Sequence, residues 1–255
     1  MPLITMILLC LASQILAAEV SLGKIRGLER AEKILEFPRK DLVSSAEGEV
    51  SAQRCHVFPT FVAVEIDTGR VGADEVWLRR REPGKAVEGI CAARKRAGEM
   101  TLKREEQYVL GAAGDFLFTQ SADGAGEEMG LWVYDAVSGN QLFQASYHMH
   151  RDFRVARRAG TVSLEYFSRL SLACDLSQKG PSCWRSTLRD NHIASGVKIN
   201  RPDCRAVFQS ADWKAHPGFA HEPRAIQLFA KVLVPDVRTA KLQFAGGDTL
   251  CSAAP

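Results

Sequence analysis

The chain has 255 residues, 46% of them hydrophobic and 25% charged, and its 33 basic and 30 acidic side chains give a formal net charge of +3. This is the composition of an ordinary globular protein, long enough for one large domain or two small ones. Basic residues cluster at Arg79–Arg81, Arg94–Arg96 and Arg154–Arg158, but acidic residues interleave throughout and no aromatic platform accompanies them. A nucleic-acid-binding protein is therefore disfavoured, and the clusters are expected to form solvated faces.

The chain begins with an uncharged, apolar segment. Met1 to Ala18 contains no charged side chain, Leu3–Leu11 is its apolar core, and Ala17 and Ala18 end it. This pattern predicts a secretory signal peptide over residues 1–18, although the missing Lys or Arg at its start leaves a buried helix as the alternative. No later segment is apolar over the roughly 20 residues that a spanning helix needs. We therefore expect a periplasmic or secreted protein with no membrane insertion after cleavage, and one mainly-β domain over residues 19–255.

The first predicted element is a short N-terminal helix in "SLGKIRGLERAEKILEFPRKDL". The apolar residues at helical spacing are Leu28, Ala31, Ile34 and Leu35. Pro38 would end this helix, because proline lacks the backbone N–H that a helix interior needs.

From Phe58 onward the apolar period changes from helical to alternating. "TFVAVEIDTG" and "EVWLRRR" predict a hairpin, and "QYVLGAAGDFLFTQSA" predicts two further strands around Gly111–Gly114. "ICAARKRAGEM" between them is a candidate short helix. "GLWVYDAVSGNQLF" then predicts strand, tight turn and strand, and "GTVSLEYFSRLSLAC" shows the clearest alternation in the chain.

The last third of the chain combines an irregular region with a final hairpin. Residues 175–221 hold Gly, Pro and two cysteines, and "SCWRSTLRDNHIAS" predicts a helix within this insertion. "RAIQLFAKVLVPD" and "AKLQFAG" predict a hairpin, with "GDTLCSAAP" as a tail. The fold class is therefore mainly β with antiparallel sheets, in the form of a barrel, a sandwich or a degenerate partial propeller, plus the N-terminal helix and the helical, cysteine-containing insertion.

The hairpin "VYDAVSGNQLF" has a physical basis for its turn. Asp135 can accept hydrogen bonds from the backbone ahead of it, and Gly139 tolerates positive φ. The run resembles the strand-turn-strand of β-propeller blades, notably the repeats of quinoprotein dehydrogenases, and is similar to an uncharacterised family of exported bacterial proteins with a "GLWVYD…SG" hairpin. The similar segments place Asp67, Asp135 and Asp236 roughly 68 and 101 residues apart. Propeller blades repeat about every 40 to 50 residues, so we expect similar hairpins that reuse one turn chemistry, without a complete propeller or its cofactor.

Six cysteines follow the predicted signal peptide, which itself contains Cys10. They are Cys55, Cys91, Cys174, Cys183, Cys204 and Cys251. An even number in an exported chain indicates disulfide bonds, and six cysteines allow 15 connectivities between which sequence alone does not decide. One arrangement, which pairs cysteines that are neighbours in sequence, is sterically reasonable. Cys174 and Cys183 flank a Gly-Pro loop, Cys55 and Cys91 bracket the first hairpin, and the remaining two join the C-terminus to the insertion.

One pair of histidines is a candidate metal site. His148 and His150 in "YHMHRD" share a face if their strand continues, and Asp152 follows as a third ligand of a type that zinc or copper accepts. The alternative is two solvated histidines at a strand edge. No G-x-S-x-G elbow and no G-x-G-x-x-G loop is present, so neither a serine hydrolase of that type nor nucleotide binding is indicated.

The function that these patterns favour is binding. We expect a non-catalytic exported protein, without a cofactor, that contacts another protein or a component of the cell envelope. Trp213, in "SADWKAHPGFAHEP", is the candidate contact residue because its loop setting favours exposure. The alternatives are a metal-assisted hydrolase built on the histidine pair, and an inhibitor or accessory subunit of a periplasmic enzyme.

Overall fold

A computed structural model describes residues 23–38, 52–67, 73, 75–82, 84–92, 95, 99–102, 106–121, 127–172, 174, 176–209 and 226–253. The predicted signal peptide and the candidate contact residue Trp213 lie outside these ranges. Within them, no helix is both long enough and apolar enough to cross a membrane.

The described chain is dominated by antiparallel strands arranged in three sheets. The N-terminal sheet has the order β2 (Lys33–Pro38), β3 (Ala52–Val57), β4 (Phe61–Asp67), β5 (Glu75–Arg80), β6 (Met100–Leu102). The middle sheet runs β7 (Gln107–Ala113), β8 (Phe116–Ser121), β9 (Glu128–Asp135), β10 (Gln141–His148). The C-terminal sheet runs β1 (Ile25–Arg26), β11 (Phe153–Arg158), β12 (Thr161–Leu170), β13 (Ile226–Val234), β14 (Gln243–Ala253), with only the β1–β11 pair parallel. The mainly-β prediction is confirmed, and the described strands form layered sheets without closing into a barrel.

Strand β8 of the middle sheet is buried on both of its faces. In β8, Leu117 belongs to the apolar cluster shared with the N-terminal sheet, where it meets residues such as Phe61 and Leu78. Its neighbour Phe118 belongs to the cluster shared with the C-terminal sheet, which includes Leu164. Consecutive side chains of a strand point to opposite faces, so the run "FLF" reads as continuously apolar because both faces are covered.

Three disulfide bonds fasten the peripheral segments to the sheets. Cys55–Cys91 joins β3 to helix α1 (Val87–Ala92), and Cys174–Cys183 closes a loop at helix α2 (Leu176–Asp190). Cys204–Cys251 joins the residue before helix α3 (Arg205–Gln209) to β14. These are the three pairs of the arrangement considered above, and three such bonds fit an oxidising, extracytoplasmic environment.

The predicted N-terminal helix is wrong, since its residues form strands β1 and β2. Leu35 and Phe37 pack against the core while Ile34 is 56% exposed, which is the alternation of a strand. Gly27 has φ +86°, and a Cβ there would meet the Val155 carbonyl oxygen at 1.9 Å. Pairing with β3 and β11 outweighed the weak helical spacing.

Two other segments differ from expectation or refine it. The supposed tail "GDTLCSAAP" is largely strand, because β14 continues to Ala253 and pairs with β13. The insertion contains the predicted helix as α2, and its Trp184 is buried in a cluster with Leu170 and Leu228 of the C-terminal sheet. The insertion therefore covers one face of that sheet.

Candidate binding site

The structure separates the residues of the predicted metal site. β10 ends at His148, so His150 lies in the following turn, with the two ring centroids 5.8 Å apart. Asp152 is directed to Arg26, with an N–O distance of 3.1 Å. His148 Nε2 lies 2.9 Å from Glu127 Oε2. Within the described ranges, no three His, Cys, Asp or Glu side chains lie where they could hold one metal ion.

The His148–Glu127 pair of the middle sheet lies at the contact with the C-terminal sheet. The His148 ring lies 4.5 Å from the Phe229 ring of β13 and is almost fully buried. The pKa of Glu127 is held below its ordinary range, mainly by the hydrogen bond to His148 and further by one from Ser252 of β14. The middle and C-terminal sheets are therefore in contact here through the His148 and Phe229 rings and through the hydrogen bond between Ser252 and Glu127, and this geometry fits a structural role.

The opposite end of the stack carries the tips of several hairpins. The Thr60 hydroxyl, between β3 and β4, donates to Asp115 Oδ1 between β7 and β8 at 2.9 Å. The Asp115 carbonyl oxygen in turn accepts the backbone N–H of Ala136, in the turn after β9, at 2.8 Å. Turns from the N-terminal and middle sheets are thus bonded to one another, which gives this end a fixed shape.

The turn after β9 has the geometry that its sequence predicts. Asp135 Oδ1 accepts the backbone N–H groups of Val137 at 2.9 Å and Ser138 at 2.8 Å. Gly139 has φ +72° and lies against Met100 of β6. Asp236 bonds the N–H of Arg238 in the same way in the turn after β13, whereas the turn after Asp67 lies outside the described residues. The consequence for the site is that Val137 is held outward, 45% exposed.

A cavity of about 380 Å³ lies between these tips. Its described lining is Pro59, Thr60, Phe61, Arg80, Arg81, Asp115, Ala136 and Val137. We call this cavity the tip cleft. The lining combines apolar residues with two arginines, a carboxylate and a hydroxyl.

The charges of the tip cleft differ in how far they are neutralised. Arg81 donates to Glu32 Oε2 at 2.8 Å and to the Phe58 carbonyl oxygen at 3.4 Å. Arg80, at the end of β5, is exposed and makes no hydrogen bond or ion pair with another described residue. Asp115 uses one carboxylate oxygen for the Thr60 hydroxyl. The tip cleft therefore offers an unpaired cation and a carboxylate with remaining acceptor capacity.

A larger cavity, of about 690 Å³, lies beside the insertion. It is lined in part by Leu176, Arg201, Asp203, Arg205 and Ile226. Arg205 donates to Asp203 at 2.8 Å and holds the pKa of that carboxyl at about 2. Both arginines of this cavity act on the Asp203 carboxylate, Arg205 through hydrogen bonds and Arg201 through its charge. Arg80 of the tip cleft has no hydrogen bond or ion pair with another described residue.

The sequence did not identify the tip cleft. Arg79–Arg81 was interpreted as one solvated run, yet Arg79 is buried and bonds Glu99 and the Ile90 carbonyl oxygen under α1. The alternation of side chains in β5 could have indicated that Arg80 faces away from Arg79. That Arg80 and Asp115 line the same cavity depends on the packing of two sheets.

In comparisons with known proteins, no family model, no curated protein and no solved structure matches the chain.

Proposed function

We propose that this chain is an exported binding protein, active in the periplasm or outside the cell, that holds its ligand in the tip cleft. The observation that carries the proposal is the Arg80 guanidinium, which has no partner among the described residues and lies in a cavity lined in part by apolar side chains. A guanidinium is a planar fork of donors suited to carboxylate and phosphate groups, and it binds such groups best where neighbouring walls exclude water.

The mounting of the tip cleft supports a binding role. Each wall is supplied by a turn or strand end of a packed sheet, and the Thr60–Asp115 hydrogen bond ties the two sheets together at the cleft itself. Such a cavity keeps its shape when empty, so ligand binding does not lose free energy to the ordering of loops. The lining groups hold a ligand by charge, hydrogen bonding and apolar contact, which is the chemistry of recognition.

Export is supported by two features of different kinds. The apolar segment from Met1 to Ala18 has the pattern of a signal peptide, and the three disulfide bonds fit an oxidising compartment. Fractionation of the native host, followed by sequencing of the mature N-terminus, tests this part. A mature chain that begins after Ala17 or Ala18 supports it, and a cytoplasmic chain that retains Met1 contradicts it.

The binding proposal is tested by capture from an extract of the cell envelope. Immobilised wild-type chain and an Arg80→Ala variant are compared, with Arg158→Ala as the matched control. Arg158 is an exposed arginine at the end of β11 that lies outside the described lining of the tip cleft. We expect wild type and control to retain the same envelope component and Arg80→Ala to lose it. Equal retention by all three contradicts a role for the tip cleft.

A further inference from the structure

The tip cleft has a charge pattern that selects among anionic ligands. Arg80 attracts an anion, whereas Asp115 in the same cavity repels a second negative charge. A phosphate carries close to two negative charges at neutral pH, so it gains from Arg80 and loses against Asp115. A single carboxylate meets the guanidinium without placing further charge near the aspartate.

The remaining polar groups indicate what accompanies that carboxylate. Asp115 has acceptor capacity beyond the bond from Thr60, so it is matched by an N–H or an ammonium group on the ligand. A chain end that carries both a carboxylate and a nearby N–H is the carboxyl terminus of a peptide. Arg80 and Asp115 together are complementary to this arrangement.

The apolar wall and the size of the tip cleft narrow the ligand class further. Four apolar residues line the cavity, of which Phe61 and Ala136 are buried while Pro59 and Val137 are exposed, and the 45% exposure of Val137 leaves apolar surface uncovered. A volume of about 380 Å³ lies near the lower limit of ligand cavities, which is roughly 300 Å³. An apolar side chain covers this wall, whereas the hydroxyl groups of a sugar acid would lose hydrogen bonds to water there.

We propose that the tip cleft binds the carboxyl-terminal end of a short peptide that carries an apolar last residue, an inference that rests on the proposed binding function. The carboxylate pairs with Arg80, the peptide N–H groups donate to Asp115, and the last side chain lies against Val137 and Pro59. A free short peptide and the exposed end of a longer chain share this chemistry.

The test uses the dipeptide Ala-Leu as the probe, with isothermal titration calorimetry on the full mature chain. The matched probes are Ala-Leu amide, which lacks the carboxylate, and galacturonate, which has a carboxylate but no apolar side chain. We expect wild type to bind Ala-Leu, and amidation to weaken binding about tenfold to hundredfold, as loss of a charge-assisted hydrogen bond does. Galacturonate should bind at least as weakly as the amide.

Variants connect the binding to the tip cleft. Arg80→Gln should weaken Ala-Leu binding by the same factor as amidation and should no longer distinguish the dipeptide from its amide. Arg158→Gln is the control and should bind as wild type does. Unchanged thermal unfolding of both variants shows that the fold is intact, since both positions are exposed.

Free peptide and protein terminus are distinguished by comparing Ala-Leu with N-acetyl-Ala-Leu, because only a free peptide keeps the ammonium group. Absence of Ala-Leu binding at millimolar concentrations, or equal binding of the amide or of galacturonate, overturns the ligand class. If envelope capture still depends on Arg80, such a result leaves the proposed function standing. Capture that is independent of Arg80 overturns the proposed function itself.

Discussion

Two neighbouring residues in β8 test the stacked arrangement of the three sheets. Leu117 and Phe118 are each 0% exposed, although they point to opposite faces of the middle sheet. Leu117 lies in the cluster shared with the N-terminal sheet and Phe118 in the cluster shared with the C-terminal sheet. If both contacts exist, truncation of either side chain leaves a cavity that the chain cannot fill.

The size of the effect follows from the burial of each side chain. Leu117→Ala should lower the free energy of unfolding by about 2–5 kcal/mol and Phe118→Ala by about 3–5 kcal/mol, the transfer and cavity costs of such truncations. Val137→Ala, at a 45% exposed position, is the control and should change it by no more than about 0.5 kcal/mol.

The assay is urea unfolding with the disulfide bonds intact, monitored by tryptophan fluorescence. Both core variants should unfold at lower urea than wild type with an unchanged slope, since the slope reports the surface exposed on unfolding. A loss below about 1 kcal/mol for one of them would show that its face of the middle sheet is not packed, and the stacked arrangement would then be refuted.

Three further outcomes are expected from the same unfolding measurement. Asp135→Ala removes the acceptor of two backbone N–H groups in the turn and should cost about 1 kcal/mol, whereas no change would show that the turn forms without it. Because the pKa of Glu127 is lowered in the fold, its contribution to the free energy of unfolding is complete above the ordinary glutamate pKa of about 4.3 and is lost as the pH falls through the lowered value. Glu127→Gln should flatten that part of the pH profile of stability, and an unchanged profile would contradict the pair with His148. Replacing Cys204 and Cys251 together by Ser should cost about 4 kcal/mol for a separation of 47 residues, and an unchanged unfolding midpoint would contradict the bond.

The strands that can be predicted from the sequence are those with strong local patterns. "GTVSLEYFSRL" alternates cleanly and forms β12, and "GLWVYDAVSGNQLF" combines aromatic strands with turn residues and forms β9 and β10. In these segments strand propensity, the alternation of apolar residues and turn chemistry indicate the same structure, and tertiary packing agrees with them.

The errors occur where local patterns are weak and packing decides. The apolar spacing around Ile34 suits a helix as well as a strand, and pairing with β3 settles it as β2. The tail near Cys251 is short of alternating residues, yet β13 supplies a partner strand and the disulfide holds it. Neither partner is visible in the local sequence.

The tip cleft is unpredictable from local patterns for a related reason. Thr60, Arg80, Asp115 and Val137 come from four separate segments of two sheets, and each residue type is ordinary in its own context. Spacing along the chain carries no signal for such a site, because the site depends on how the faces of the sheets pack.

Binding of a ligand at Arg80 between the hairpin tips is tested most directly by locating the bound probe by NMR. Ala-Leu is added to mature chain labelled at arginine side chains and valine methyl groups, and the signals of Arg80, Val137 and Arg158 are followed. We expect saturable shifts of the Arg80 guanidinium and the Val137 methyl groups, with Arg158 unchanged. Shifts confined to other positions, or none at millimolar probe, would contradict it.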